Sequence, residues 1–137
     1  MGTYRLDLAP LKTAATGKSG LPAGTDVGHV HLEVTSLAAF SDFYVDTLGF
    51  ETQVEMQAAR FVGAGGYHHH LGANTWNERS EPISGSGLAW FELMLPEAET
   101  LAVVRERIET SQYSLTEQEN GFGVTGPDGI QVRLRSV

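Results

Sequence analysis

The strongest constraint in this 137-residue chain is that one order of elements occurs twice. Val27-Gly28-His29-Val30-His31-Leu32-Glu33-Val34 alternates strictly, with Val30, Leu32 and Val34 on one face and His29, His31 and Glu33 on the other. Alternation sustained over that length predicts a half-buried strand. Thr35 or Ser36 can cap a following helix, whose apolar stripe is Leu37, Phe40, Tyr44 and Leu48 and whose end is Gly49. Strands are expected around Phe50–Met56, Ala59–Gly63 and Tyr67–Gly72, and a polar Gly/Ser/Pro connection from Asn74 to Gly87. Leu88-Ala89-Trp90-Phe91-Glu92-Leu93-Met94-Leu95 then begins the pattern again, followed by a helix with Leu101, Val104 and Ile108 on one face. Shorter strands are expected near Ser114–Glu117 and Gly121–Thr125. The turn Gly126-Pro127-Asp128-Gly129 leads into a last alternating run, Ile130–Arg135. A shift of 61 residues (29 to 90) lays His29 on Trp90, Leu32 on Leu93 and helix on helix. The chain therefore reads as a repeated βαβββ unit, module A over 27–76 and module B over 86–137.

Residues 1–26 have a different character. Leu6, Leu8 and Leu11 are expected to pack as a small anchor, and the Gly-, Ser-, Thr- and Ala-rich stretch from Thr13 to Thr25 to act as a linker. The triplet Gly17-Lys18-Ser19 is no phosphate-binding loop, because Lys12 stands where that loop needs its first glycine.

Composition narrows the function classes. The chain has no cysteine, which excludes disulfides, thiolate zinc sites and thiol nucleophiles and fits a reducing, cytoplasmic setting. Its net charge of −8, spread without blocks, disfavours a phosphate backbone as partner, so no nucleic acid is expected. There is no apolar run of the roughly 20 residues a membrane span needs, and no secretion-signal pattern, so no membrane is expected either.

Two strings carry a resemblance. Phe43-Tyr44-Val45-Asp46-Thr47-Leu48-Gly49-Phe50 looks like the helix-end signature of vicinal-oxygen-chelate modules, and Gly126-Pro127-Asp128-Gly129-Ile130 like their final turn and strand. The chain thus resembles the group that includes glyoxalases, bleomycin-resistance proteins and extradiol dioxygenases. Gly65-Gly66-Tyr67-His68-His69-His70-Leu71-Gly72-Ala73-Asn74-Thr75-Trp76, with Gly28-His29-Val30-His31-Leu32 upstream, is similar to the C-terminal half of two-domain catechol 2,3-dioxygenase-type proteins. The leader, Leu6-Asp7-Leu8 and Leu21-Pro22-Ala23-Gly24-Thr25, resembles the stretch joining their halves.

The resemblance implies an α+β fold: two βαβββ modules forming a cup-shaped mixed sheet with helices on its outer face. It further implies metal-ligand positions on the first and last strands of each module. In this sequence those positions are His29, the His68–His70 segment, Trp90 and Arg133. Extradiol chemistry uses two histidines and one carboxylate on open-site Fe(II) or Mn(II). Trp90 stands where the second histidine would be, and Arg133 where the glutamate would be. In the two-domain relatives the metal-bearing cup is implied to be the N-terminal half, which has no counterpart in this sequence.

His29 is the candidate metal ligand, with Glu33 the nearby carboxylate on the same strand face. The match puts His69 where extradiol enzymes carry the histidine that assists proton transfer, a role suited to a pKa near neutrality. By strand parity His31, Trp90, Glu92 and Arg133 face the cup as ligand-binding candidates, with Trp90 a flat wall for an aromatic molecule. Glu92 is expected to pair with Arg133 or Arg135.

Three readings remain open at this point. The first is a cup that binds a small, aromatic molecule with a degenerate metal site. The second is a dioxygenase-like or lyase-like metalloenzyme built across a dimer and using Fe(II) or Mn(II). The third is a non-catalytic half working with a partner chain. A homodimer is expected, because single-cup members of the family complete their sheets between chains and βαβββ units leave open strand edges.

Overall fold

The computed structural model describes residues 7–14, 17 and 20–137, so Leu6 and the Lys18-Ser19 pair lie outside the described residues. The leader holds one short helix, α1 (Leu8–Ala14), with no buried residue. Leu8 is 54% exposed and Leu11 53%, so these two do not pack as the expected anchor. Thr13 and Ala14, expected in a linker, belong to this helix. Seven residues are too few for a helix to gain much from its own hydrogen bonds without a packing partner.

Module A begins at β1 (Val30–Glu33), three residues later than the alternation that starts at Val27. Side-chain alternation extends upstream, but ladder pairing begins only where Val30 meets Leu71. The helix α2 (Leu37–Ser41) starts at Ser36, whose Oγ accepts the Ala39 N–H at 3.2 Å. Of the two possible caps it is therefore Ser36 that serves, while the Thr35 N–H donates to Asp128 Oδ1 in the other module at 2.9 Å. The helix then widens into a π-helical continuation, Asp42–Thr47, in which the Thr47 hydroxyl donates to the Asp42 carbonyl five residues back at 2.9 Å. This wider turn explains a difference from the expected stripe. Phe43 and Thr47 are buried together with Phe40, Tyr44 and Leu48, because a π-helix shifts the buried face by part of a residue each turn. Gly49 follows at φ +97°, a left-handed backbone that glycine adopts without strain.

Three more strands complete the module: β2 (Glu51–Glu55), β3 (Ala59–Gly63) and β4 (Leu71–Asn74). The sheet order is β1-β4-β3-β2, with β1 parallel to β4 and the other neighbours antiparallel. The strand expected over Tyr67–Gly72 is shorter at its start. Gly65 and Gly66, both at positive φ, turn the chain, and His68–His70 approach β4 through bends rather than as ladder. Only His70 bonds like strand, donating to the Val62 carbonyl at 2.9 Å and accepting from Val30 N–H at 3.0 Å.

Module B repeats this plan with β5 (Trp90–Leu95), α3 (Ala98–Glu109), β6 (Leu115–Gln118), β7 (Gly121–Thr125) and β8 (Gln131–Ser136), in the order β5-β8-β7-β6. The repeat holds at the level of register. Val30 opposite Leu71 becomes Phe91 opposite Val132, both shifted by 61. Phe61 opposite Gly72 becomes Gly123 opposite Arg133, so the third strand is shifted by 62, one residue having left the connection.

One apolar core runs through both modules, from Leu32, Phe40 and Phe43 to Phe91, Ile108, Phe122 and Val132. Tyr44 stacks on Phe91 at 6.5 Å between ring centres, and Phe43 meets the edge of Tyr113 at 4.7 Å. Aromatic pairs of this kind contribute about 0.5–1.5 kcal/mol beyond the area they bury. Polar ties reinforce the same seam: Arg107 donates to the Asp46 carbonyl at 2.9 Å, and the Tyr113 hydroxyl to Asp42 at 2.8 Å. Burial, seconded by that acceptor, pushes the Tyr113 hydroxyl up to about 12. The apolar positions of both sheets are thus committed to the helix side, which leaves the opposite face to the polar and aromatic side chains. No helix among the described residues is long and apolar enough to cross a membrane.

Candidate functional site

On the module A half of the cup, β1 sets His31 and Glu33 opposite Gly72 and Asn74. Asn74 Nδ2 lies 2.9 Å from His31 Nε2, so Nε2 accepts and the ring carries its proton on Nδ1 when neutral. Gly72 is what lets the ring lie there, since a Cβ would stand 2.7 Å from His31 Nδ1 and 3.0 Å from Phe61. The imidazole meets Phe61 edge-on at 5.7 Å and Trp76 at 5.8 Å. Burial, and then the neighbouring His29, lower the His31 pKa.

His29 stands just before β1, its ring 4.7 Å from that of His69. His69 is buried at 9% exposure, packed at 5.1 Å against the edge of Phe61 and at 4.5 Å against His68. Its Nδ1 is buried without a hydrogen-bond partner, which is costly unless something supplies one. Burial first, and then the imidazoles of His68, His29, His31 and His70, lower its pKa, so it is neutral at neutral pH. His68 packs against Tyr67 and His69, whereas His70 turns to Phe50 and Tyr67, and its Nδ1 accepts the Ala64 N–H at 3.2 Å.

Carboxylates are kept away from these imidazoles by their own partners. Glu33 accepts from Arg79 Nε and from Asn77 Nδ2, and those bonds, Arg79 first, hold its carboxyl below the usual range. Across the cup, β5 and β8 set Trp90, Glu92 and Met94 opposite Gln131, Arg133 and Arg135. Of the two partners expected for Glu92 it is Arg135 that takes it, at 2.8 Å. Arg133 instead lies over the Trp90 ring with Cζ 3.8 Å from its centre, and donates from Nε to Gln131 Oε1 at 3.0 Å. The wall that Trp90 offers is therefore occupied on one face by a guanidinium.

The donor set does not fit the Fe(II) or Mn(II) site that the family implies. His29 and His69 come together, but among the described residues no three His, Cys, Asp or Glu side chains converge. Trp90 has no lone pair to offer, and a guanidinium repels a dication. The repeat also revises one position. Shifted by 61 residues, Arg133 corresponds to Gly72, a residue with no side chain, and not to the His68–His70 segment.

Of the residues singled out in the sequence, His31 and His69 meet Phe61 and His29 meets His69, and Trp90, Glu92 and Arg133 share the facing half. A cavity of about 480 Å³ between the inner edges β1 and β5 is lined by both His29 and Glu92. Phe61, Gly72, Asn74 and Gln131 were not singled out. In β3 both Phe61 and Val62 are apolar, so alternation carries no sign of which faces the cup.

Comparison with known proteins agrees with this architecture. The sequence model of the Glyoxalase/Bleomycin resistance protein/Dioxygenase superfamily matches residues 26–134. A catechol-2,3-dioxygenase of Bacillus subtilis is 42% identical over 115 residues, covering 80% of this chain but 40% of that protein. The chain thus spans well under half the length of this relative. Among solved structures, an integron cassette protein from the mobile metagenome of a Halifax Harbour sewage outfall superposes with TM-score 0.64 at 17% identity, covering 82% of this chain and 98% of its own. A lactoylglutathione lyase from Agrobacterium tumefaciens superposes with TM-score 0.61 at 18% identity, covering 84% and 96%. At those identities the structural matches speak for the fold alone.

Proposed function

This chain belongs to the glyoxalase/bleomycin resistance protein/dioxygenase superfamily, and from that membership we propose that its cup binds a small aromatic molecule with no metal ion between protein and ligand. The observation that carries the reading is the division of charge on the concave face. Imidazole and phenyl rings cluster at its centre, while Glu33 and Glu92, the two carboxylates facing it from β1 and β5, are already held by Arg79 and Arg135. Such a floor offers ring edges, neutral hydrogen-bonding nitrogens and one stacked cation, which suits a flat molecule better than a dication. The relative named catechol-2,3-dioxygenase supports an aromatic ligand, though the chain covers only part of that protein. In this reading His29, His31 and Trp90 enclose the ring, and the buried His69 supports His29 by ring contact.

The test is an anaerobic addition of Fe(II) or Mn(II), then catechol and air. The expected result is no yellow ring-opened product, together with saturable quenching of tryptophan fluorescence by catechol, since Trp76 and Trp90 both border the cup. Stoichiometric metal with turnover would overturn the reading in favour of a metalloenzyme. Absence of both turnover and quenching would leave the third expectation, a half that works only with a partner chain.

A further inference from the structure

The proposed function leaves one cation without an anion. Arg133 faces Glu92 directly across the β5–β8 ladder, the pairing a neutralising ion pair would use, yet Glu92 is bound to Arg135. Arg133 is half-buried, its Cζ is 3.8 Å above Trp90, and its Nε is engaged by Gln131. Among the described residues its two terminal nitrogens have no acceptor. In a protein of net charge −8, a guanidinium fixed on both sides with its outer donors free is a receptor waiting for an acceptor.

The surroundings supply further donors and the room. Because Gln131 gives its Oε1 to Arg133, its Nε2 must point the other way, toward β7. There, a Cβ on Gly123 would stand 2.9 Å from Gln131 Nε2 and 2.9 Å from Gln118 Nε2, so the bare glycine is what lets two side-chain amides close in over β7. Arg133 and Gln118 line one cavity of about 200 Å³. The Glu92–Arg135 pair and the exposed Glu119 line it too, and the charge of Glu119 sets a limit. One free cation with one neutral amide suits a flat monoanion, whereas a phosphate dianion would meet more repulsion than one guanidinium offsets.

We propose that Arg133, held by Gln131 and joined by the amide of Gln118, receives a carboxylate, and that the ligand of this cup is an aromatic carboxylic acid. The proposal rests on the aromatic reading above and adds its charged group. The carboxylate lies in the plane of the guanidinium fork and accepts from both terminal nitrogens, while Trp90 holds that fork in place.

Calorimetric titration of the whole chain with benzoate, benzamide, phenol and acetate tests it. Benzoate is expected to bind roughly tenfold or more tightly than its neutral isostere benzamide. Arg133→Gln should erase that preference, and Arg133→Lys, which keeps the charge but loses the fork, should restore only part of it. Gln131→Glu places a carboxylate beside Arg133 and should abolish benzoate binding even if Arg133→Gln fails to fold. Equal affinity for benzoate and benzamide overturns the carboxylate receptor and leaves the aromatic reading standing. Acetate binding as well as benzoate keeps the receptor and removes the aromatic reading. Binding of none of the four overturns both.

Discussion

His69 shows how one buried side chain couples site and stability. Its pKa, like those of His31 and His70, lies below the ordinary 6.5 because burial disfavours the charged ring. A group whose folded pKa is depressed contributes stability that is complete above the unfolded value and lost as the pH falls through the folded one. The melting temperature should therefore decline as the pH drops below 6.5, while it stays level above. His69→Gln, which cannot take up the proton, should show a shallower decline in a thermal melt series. A decline of equal slope in the variant would mean that His69 does not carry the effect. The same burial leaves Nδ1 unpartnered, so the residue that weakens the fold in acid is also held at a cost in its neutral form.

Among the elements, two glycines at chain reversals differ in kind. Gly49 ends the first module's helix at φ +97°, and a side chain there would also press on Arg107, with Cβ 2.4 Å from Nη1. The end of Arg107 can swing away, at the loss of its bond to the Asp46 carbonyl. Gly49→Val should thus cost about 1–2 kcal/mol from the left-handed backbone, more than His69→Ala, as read by denaturant titration. Gly121 is less forgiving. A Cβ there would sit 2.0 Å from the Leu134 carbonyl oxygen, which is backbone of the neighbouring β8. Gly121→Ala should therefore lower stability by on the order of 3 kcal/mol, because the β7–β8 ladder must part locally. Equal effects at the two sites would contradict the packing described between these strands.

For the molecule as a whole, the joint between modules lies on the helix side. Phe43 is 0% exposed and packs against Tyr44, Tyr113 and the backbone near Gly126. Phe43→Ala should cost about 3–5 kcal/mol, and unfolding should remain a single transition, because the cavity it leaves touches both modules. Two separate transitions would show that the modules fold independently. Among the described residues the outer edges of β2 and β6 are unpaired, and open edges favour strand addition. A homodimer is the expected state, and light scattering that gives a clean monomer at micromolar concentration would refute it.

The repeat, the face of each first strand and the order of elements were all legible in the sequence, because alternation is a local property and each strand advertises its own buried side. Val30, Leu32 and Val34 against His29, His31 and Glu33 needed no neighbour to be sorted. The helix stripe was legible for the same reason, except where the π-helical turn brought Phe43 and Thr47 inward. Pairing between side chains is not local. That Glu92 takes Arg135 rather than Arg133, that Gly72 makes room for His31, and that Gln131 turns its amide toward Gly123 follow from register across strands. In the sequence these partners stand about 40 residues apart in two of the three cases (92 to 135, 31 to 72), and several rotamers satisfy each residue alone. Tertiary structure decided which charge was left free, because an ion pair is chosen by distance in space, and only the assembled sheets bring the competing partners within reach of one another.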